Sequence, residues 1–382
     1  MSDITFKLTV ATNVGKVRTN NEDNFIVSSN LDDDNWYIPR NTNTVLDLEG
    51  NGCVLVVADG MGGMNAGEVA SEIAVDTIRE VFSKAKLSKI RKSVRNIENF
   101  LRKAIVIADS NIKSRVKDDC ATKGMGTTIV VAWVVDDSVC VSWCGDSRAY
   151  CYNPASGLKR LTKDHSYVQQ LVDEGKLDPE LAFDHPNSNI ITRSLGDSPA
   201  SASPDFVKQK LMKGDIILLC SDGLCGICRD EQILSVIENS DSNDIEDIKS
   251  NLISAALDEG GYDNVTVALF QCVTAAEDEL HKTINTFERR SGKCVAIEKK
   301  EKSVSEENEK KEEPDTGLSS EEPVDNDGES SKDEDTKDCR NVEETMANLP
   351  KSNWRISTRF IALLIIIAVI LILLYLHYKS II

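Results

Sequence analysis

A chain of 382 residues with 41% hydrophobic content has room for one large packed domain plus appendages. Its formal net charge of −19 argues against a nucleic-acid-binding surface. The 11 cysteines are an odd number scattered through apolar runs, which speaks against a secreted disulfide framework and for reduced, buried thiols in a cytoplasmic setting.

In chain order, apolar runs bounded by Gly, Asp or Asn predict strands at Thr5–Asn13, Phe25–Ser28 and Cys53–Ala58. Two helical patterns follow. Over Gly67–Ala85 the residues Ala70, Ile73, Ala74, Ile78, Val81 and Phe82 recur at helical spacing, and over Ile97–Val116 Leu101, Ala104, Ile105, Ala108 and Ile112 do the same. Strands resume at Thr127–Val135, Ser138–Cys144, Ala149–Asn153, Ile216–Cys220 and Val265–Gln271. Short strands close enough for hairpins, with helices appended in pairs, indicate an antiparallel α+β fold rather than a doubly wound sheet. Cys225-Gly226-Ile227-Cys228 is a CxxC pair without a second CxxC or a histidine at zinc spacing, so it reads as packing.

The domain organisation reads as 1–274 catalytic, 275–350 linker and 351–382 anchor. Between Glu301 and Glu344 there are 18 acidic residues against 6 basic ones and no aromatic residue, a composition that extends by self-repulsion rather than burying a core. A short helix over Glu277–Arg290 is compatible with the sequence. Phe360–Leu376 is then uninterrupted apolar sequence, flanked by Trp354 and Tyr378, and reads as one transmembrane helix. Lys351, Arg355 and Arg359 precede it and no signal peptide opens the chain, so a single-pass membrane protein with its N-terminal domain in the cytoplasm is expected.

Six signatures carry the chemistry: RTNNED (Arg18–Asp23), VVADGMGG (Val56–Gly63), GTT (Gly126–Thr128), CGDSRAY (Cys144–Tyr150), LLCSDGL (Leu218–Leu224) and YDNVTV (Tyr262–Val267). Singly, an Asp-Gly after a strand is more often a turn than a ligand. Carboxylates at several strand ends nevertheless suit Mg²⁺ or Mn²⁺, which take oxygen ligands from rigid elements and keep an open face for water. In this order the set closely resembles the PPM, or protein phosphatase 2C, family of metal-dependent Ser/Thr phosphatases, from about Phe6 to about Val273. The stretches LTKDHSYVQQLVDEGKL and HPNSNIITRSLGD look like its bacterial branch.

The resemblance implies two stacked antiparallel β-sheets flanked by helix pairs, and hydrolysis of phosphoserine and phosphothreonine on proteins by a water bridging two divalent metals, Mn²⁺ or Mg²⁺. By the same resemblance Asp59, Asp222 and Asp263 carry one metal. Asp59, the Gly60 carbonyl and Glu22 or Asp23 carry the other. Asp146, with Asp222, matches a third, weaker metal site, and a hairpin turn across Ser142–Tyr150 is the plainer reading, compatible with that role. Arg18 falls where the family binds substrate phosphate, and a guanidinium fork suits two phosphate oxygens. Asn264 is expected to orient Asp263.

Some family members carry a histidine directly after the Asp-Gly, and bacterial relatives often have one after the Gly-Gly; here Met61 and Met64 stand there and cannot donate a proton. His165 and His185 read as structural or as part of a substrate-gating flap within Leu158–Pro199. Phosphorylated proteins and an opposing Ser/Thr protein kinase are the implied partners. A non-catalytic phosphoprotein binder is disfavoured because every metal carboxylate is retained.

Overall fold

The computed structural model describes residues 4–33, 36, 43–62, 66–196, 200–242, 244–275 and the backbone of 283–285. In chain order the elements are β1 (Thr5–Asn13), β2 (Asp23–Ser28), β3 (Leu46–Asp47), β4 (Cys53–Met61), α1 (Gly67–Lys84), α2 (Leu87–Ile90), α3 (Val94–Asp118), β5 (Gly126–Thr127), β6 (Ile129–Val135) and β7 (Ser138–Cys144). There follow β8 (Arg148–Asn153), β9 (Gly157–Arg160), α4 (Tyr167–Asp173), β10 (Asp205–Lys210), β11 (Ile216–Cys220), α5 (Asp222–Cys225), α6 (Asp230–Asn239), α7 (Ile245–Asp258), β12 (Val265–Thr274) and β13 (Thr283–Asn285).

Every residue of β6, IVVAWVV, is buried, because successive side chains enter two different cores. Ile129, Val131, Trp133 and Val135 pack with α1 and α3, while Val130, Ala132 and Val134 pack against the opposite sheet. β12 mirrors this: Ala268 and Phe270 face the shared core, and Val265, Val267 and Leu269 face Ile248, Leu252 and Ala256 of α7. The result is helices, sheet, sheet, helices. One sheet runs β3-β1-β12-β11-β8-β9, the other β13-β10-β7-β6-β4-β2 with β5 added to β4, and the pairings are antiparallel.

The helix patterns meet this architecture closely. Ala70, Ala74, Ile78, Val81 and Phe82 of α1 are all buried, each large apolar side chain worth roughly 1.5–3 kcal/mol when fully removed from water. Ser93 caps α3 by accepting a hydrogen bond from the Asn96 amide at 3.2 Å. Between α1, α3 and β6, Phe82, Phe100 and Trp133 pack edge to face.

Three expectations are corrected. Thr127–Val135 is two strands, because Thr128 leaves the ladder to contact Asp59. Thr283–Asn285, inside the stretch read as linker with a possible helix, pairs as a strand with β10. The hairpin reading of Ser142–Tyr150 fails outright: β7 and β8 lie in different sheets, so Gly145–Ser147 is a crossover between them. Among the described residues no helix is long and apolar enough to cross a membrane; the apolar run 360–376 and the acidic stretch 301–344 lie outside them.

Candidate active site

Both sheets deliver their acidic residues to one edge. In the β2–β4 ladder Asp23 stands directly opposite Asp59. In the other sheet Cys220 faces Val267, so Asp222, just past β11, and Asp263, just before β12, leave from neighbouring strand ends. The β7–β8 crossover then brings in Asp146, and Gly145 makes that turn with φ +124°, over the side chain of Thr128.

Asp59 is fixed through its main chain. Its amide donates to Thr128 Oγ1 at 3.2 Å, and its carbonyl accepts from Thr127 Oγ1 and the Thr128 amide, both at 2.8 Å. Thr128 Oγ1 also meets Ser147 Oγ at 2.7 Å, tying Asp59 to the crossover that carries Asp146. Next to it, Gly60 donates its amide to the Glu22 carbonyl at 3.1 Å. A side chain at Gly60 would collide with the carbonyl oxygens of Gly67 and Glu22, so the close passage of β4 past these residues requires glycine.

Asp23 is the deeper of the two acidic residues in RTNNED. One of its oxygens, Oδ2, accepts hydroxyl hydrogen bonds from Ser221 and Thr266, each at 2.7 Å, while the other is buried without a hydrogen-bond partner. Glu22 is half-buried and takes a hydrogen bond from the Gly67 amide at the start of α1. Arg18 Nη2 donates to Asp263 Oδ2 at 2.8 Å. Asn264 reaches Asp263 through its main-chain amide, which donates to Asp263 Oδ1 at 2.9 Å. Its carboxamide instead holds the RTNNED loop, accepting from the Glu22 amide at 2.7 Å and donating to the Val14 and Asn20 carbonyls.

Burial and mutual repulsion push these acids upward. Asp23 rises to about 7, chiefly through burial, with Asp222 and Asp263 adding to it against the two hydroxyl hydrogen bonds. Asp59 lies well above the ordinary carboxylate range through burial and the nearby Asp222, Asp23 and Asp146, and it shares a hydrogen bond with Asp222. Asp146 is raised in the same way by burial and by Asp222 and Asp164, and its Oδ1 also has no hydrogen-bond partner. Asp222 and Glu22 are raised chiefly by burial.

Among the described residues no three His, Cys, Asp or Glu side chains form a closed cluster around a single point. The donors come in pairs, Asp23 beside Asp59 and Asp59 against Asp222, with Arg18 drawing Asp263 to the solvent side. Bare, mutually repelling carboxylates with unpartnered buried oxygens are nevertheless the donor set that hard divalent cations take, and such ions fill remaining positions with water.

His165 is structural: it is buried, accepts from the Gly145 amide through Nδ1 at 3.1 Å, and meets Asp205 Oδ2 through Nε2 at 3.1 Å. His185 sits in the flap region, accepting from the Asn187 amide. That region is moored to the site by paired main-chain hydrogen bonds between Thr127 and Leu195. Met61 ends β4 opposite Gly126, and Met64 lies outside the described residues. The hydroxyls of Ser147, Ser221 and Thr266 were not singled out by sequence reasoning, although each lies inside an acidic signature, and GTT was marked as a signature without a role for the hydroxyls of Thr127 and Thr128.

Comparison with known proteins places the chain in a family. Residues 33–242 match the family model described as protein phosphatase 2C. The serine/threonine phosphatase stp of Listeria welshimeri is 33% identical over 260 residues, 68% of this chain and 93% of that protein. The crystal structure of the serine/threonine phosphatase Stp1 from Staphylococcus aureus superposes with a TM-score of 0.58 at 33% identity, covering 73% of this chain and 96% of that one. The catalytic domain of the serine threonine protein phosphatase PstP in complex with two manganese ions gives a TM-score of 0.55 at 29% identity, covering 71% and 99%.

Proposed function

The chain belongs to the protein phosphatase 2C family and is a serine/threonine protein phosphatase, and we propose that it removes phosphate from phosphoserine and phosphothreonine through the acidic edge described above. The observation that carries the site assignment is the set of buried carboxylates, Asp23, Asp59, Asp146 and Asp222, whose charge the surrounding side chains do not balance. Asp59 with Asp222 and Asp263 would hold one divalent ion. Asp59 with the Gly60 carbonyl and Glu22 or Asp23 would hold a second, and Asp146 with Asp222 a third, weaker one. When bound, Mn²⁺ or Mg²⁺ supplies a hydroxide nucleophile at neutral pH and offsets the charge that develops on the phosphoryl group.

The chain's own residues do the rest. Arg18, half exposed at the mouth, binds the phosphate oxygens, and its hydrogen bond to Asp263 orients the guanidinium beforehand. Thr127 and Thr128 fix the Asp59 main chain, and Asn264 fixes the loop that carries Arg18 and Glu22. Ser221 and Thr266 leave one Asp23 oxygen free by occupying the other.

Phosphoproteins are therefore the substrates and a Ser/Thr protein kinase the opposing activity. The apolar run 360–376 supports a tether to a membrane with the catalytic domain in the cytoplasm. Removing 351–382 should then release an active enzyme from the membrane fraction; retention there without the segment would end the tether reading. The central test is hydrolysis of a phosphothreonine peptide with Mn²⁺, Mg²⁺ or EDTA. Turnover that EDTA abolishes supports the assignment, and turnover unaffected by EDTA, or none under any condition, overturns it.

A further inference from the structure

Large apolar side chains left in solvent are uninformative when scattered, but their concentration at a functional edge is not. Among the described residues seven large hydrophobic side chains are exposed, and three of them, Val14, Val17 and Tyr262, sit on two loops at the acidic edge. Val17 and Tyr262 are 60% and 64% exposed, so neither contributes a full core contact to the fold. The two loops are fastened together. The Lys16 amide donates to the Gly261 carbonyl at 2.7 Å, Asn264 Nδ2 donates to the Val14 carbonyl at 3.0 Å, and Gly15 packs so tightly on Asp263 and Gly261 that a side chain there would strike their carbonyls.

The placement of the two residues in sequence fixes what can reach them. Val17 is the covalent neighbour of Arg18, and Tyr262 is the covalent neighbour of Asp263. Arg18 and Asp263 are themselves paired at 2.8 Å. A phosphorylated residue whose phosphate lies on Arg18 has its chain neighbours only about 3.8 Å away per residue along the backbone. The flanking side chains of a peptide substrate must therefore pass over this rim. An exposed tyrosine and valine there offer apolar contact at little entropic cost, since both side chains have few rotatable bonds.

We infer that Val17 and Tyr262 form an apolar lip beside the phosphate position, which selects phosphopeptides carrying an apolar side chain next to the phosphorylated residue. The inference rests on the reading of Arg18 as the phosphate-binding residue. The rim's charge gives the competing expectation: Lys16 is exposed, with Asp258 4.0 Å away, and would favour an acidic neighbour instead.

Three phosphothreonine peptides identical except at the two flanking positions decide between these, carrying Leu, Ser or Glu on both sides. The full-length protein with Mn²⁺ should turn over the Leu peptide with kcat/KM about tenfold above the Ser peptide, the scale of discrimination that modest apolar contact provides. The double variant Val17→Ser, Tyr262→Ser should bring that ratio close to one. Val45→Ser is the control: Val45 is also exposed but adjoins β3, which pairs with Thr5 and Phe6 at the opposite end of β1 from Asn13. It should leave the ratio as in the wild type. Equal turnover of all three peptides by the wild type, preference for the Glu peptide, or a ratio unchanged in the double variant would each overturn the lip while leaving phosphatase activity standing. Absence of turnover on every peptide, and on p-nitrophenyl phosphate as well, would overturn the phosphatase reading and the lip with it.

Discussion

Two groups of buried acidic residues meet opposite electrostatic conditions. Around Arg148 of CGDSRAY, the guanidinium donates to Asp164 at 2.8 Å, to the Tyr150 hydroxyl at 3.0 Å and to Asp230 at 3.3 Å. Burial alone would raise Asp164, but Arg148 and Arg160 outweigh it and hold the carboxyl below its ordinary range. Asp205 behaves alike: burial raises it, and His165 and Arg193 more than reverse the effect. Two residues from Arg148, Asp146 is pushed well up, as is Asp59, Asp222 is raised too, and two oxygens of the acidic edge have no partner. A buried carboxylate with its own cation belongs to the scaffold. A buried carboxylate that repels its neighbours costs stability, and its retention points to binding of something positive.

The sharpest way to break this contrast is to neutralise one acid in each group. Asp59→Asn or Asp222→Asn should lower Mn²⁺-dependent peptide turnover by more than about a hundredfold, since loss of residues that merely orient metal ligands already costs ten- to a hundredfold. In EDTA the same variants should melt no lower than the wild type, because each substitution removes buried repulsion. Asp164→Asn should do the reverse, costing roughly 3–5 kcal/mol of stability with or without Mn²⁺ by leaving Arg148 underpaired. Thermal melts and kinetics of the three variants check both halves. If Asp164→Asn melts normally, or Asp59→Asn turns over substrate normally, the two groups are not different in kind.

A pH series separates them with a smaller effect. Asp23 has its folded pKa raised to about 7, above its unfolded value, so its contribution to stability is fully present at acidic pH and is lost as pH rises through about 7. Asp164 and Asp205 have lowered folded pKa values and contribute the opposite way, losing stability only as pH falls through the acidic range. The buried imidazole of His165 is held below its usual range, so it favours folding as pH rises and partly masks the Asp23 slope. The measurement is therefore the difference between wild type and Asp23→Asn in EDTA. Over pH 5.5 to 7.5 the wild type should lose stability relative to the variant, by a few kcal/mol at most, and Mn²⁺ should abolish that difference. Parallel slopes in EDTA would show that Asp23 titrates normally.

The ends of strands were legible from the chain, and that is why the acidic edge was too. Asp59, Asp222 and Asp263 each adjoin an apolar run whose two faces enter two cores, so strand and site were read from one pattern. Asp146 was legible only as an acidic signature. Whether CGDSRAY is a hairpin or a passage between sheets depends on which strands pair, and local sequence carries no such information. α7 was overlooked although Asp244 caps it and Ile245, Ile248, Leu252 and Ala256 line its buried face, because the polar residues around them blur the period. β10, DFVKQK, has only two apolar residues, and they are adjacent, so no alternation stands out. The supporting hydroxyls were hidden for another reason: serine and threonine are common in turns and strands alike, and only the distances of 2.7–2.8 Å to Asp23 and Asp59 mark these out.

Arg18 offers the mildest test, because it lies at the acidic edge's solvent side rather than in its interior. Its side chain is 50% exposed and that of Asp263 is 35% exposed, so this ion pair is screened by water in a way that Arg148–Asp164, at 14% and 11%, is not. Arg18→Ala should therefore cost less than about 1 kcal/mol in a melt, where loss of a buried pair costs several. Its effect belongs in binding: KM for phosphothreonine peptides should rise by about tenfold with kcat little changed, because the guanidinium grips phosphate in the ground state as well as the transition state. Arg18→Lys should recover part of that loss but not all, since an ammonium keeps the charge without the two-pronged geometry. A fall in kcat with KM unchanged would place Arg18 on the transition state. A melt as damaged as that of Asp164→Asn would place its ion pair with the scaffold, and the line between the two acidic groups would have to be redrawn around Asp263.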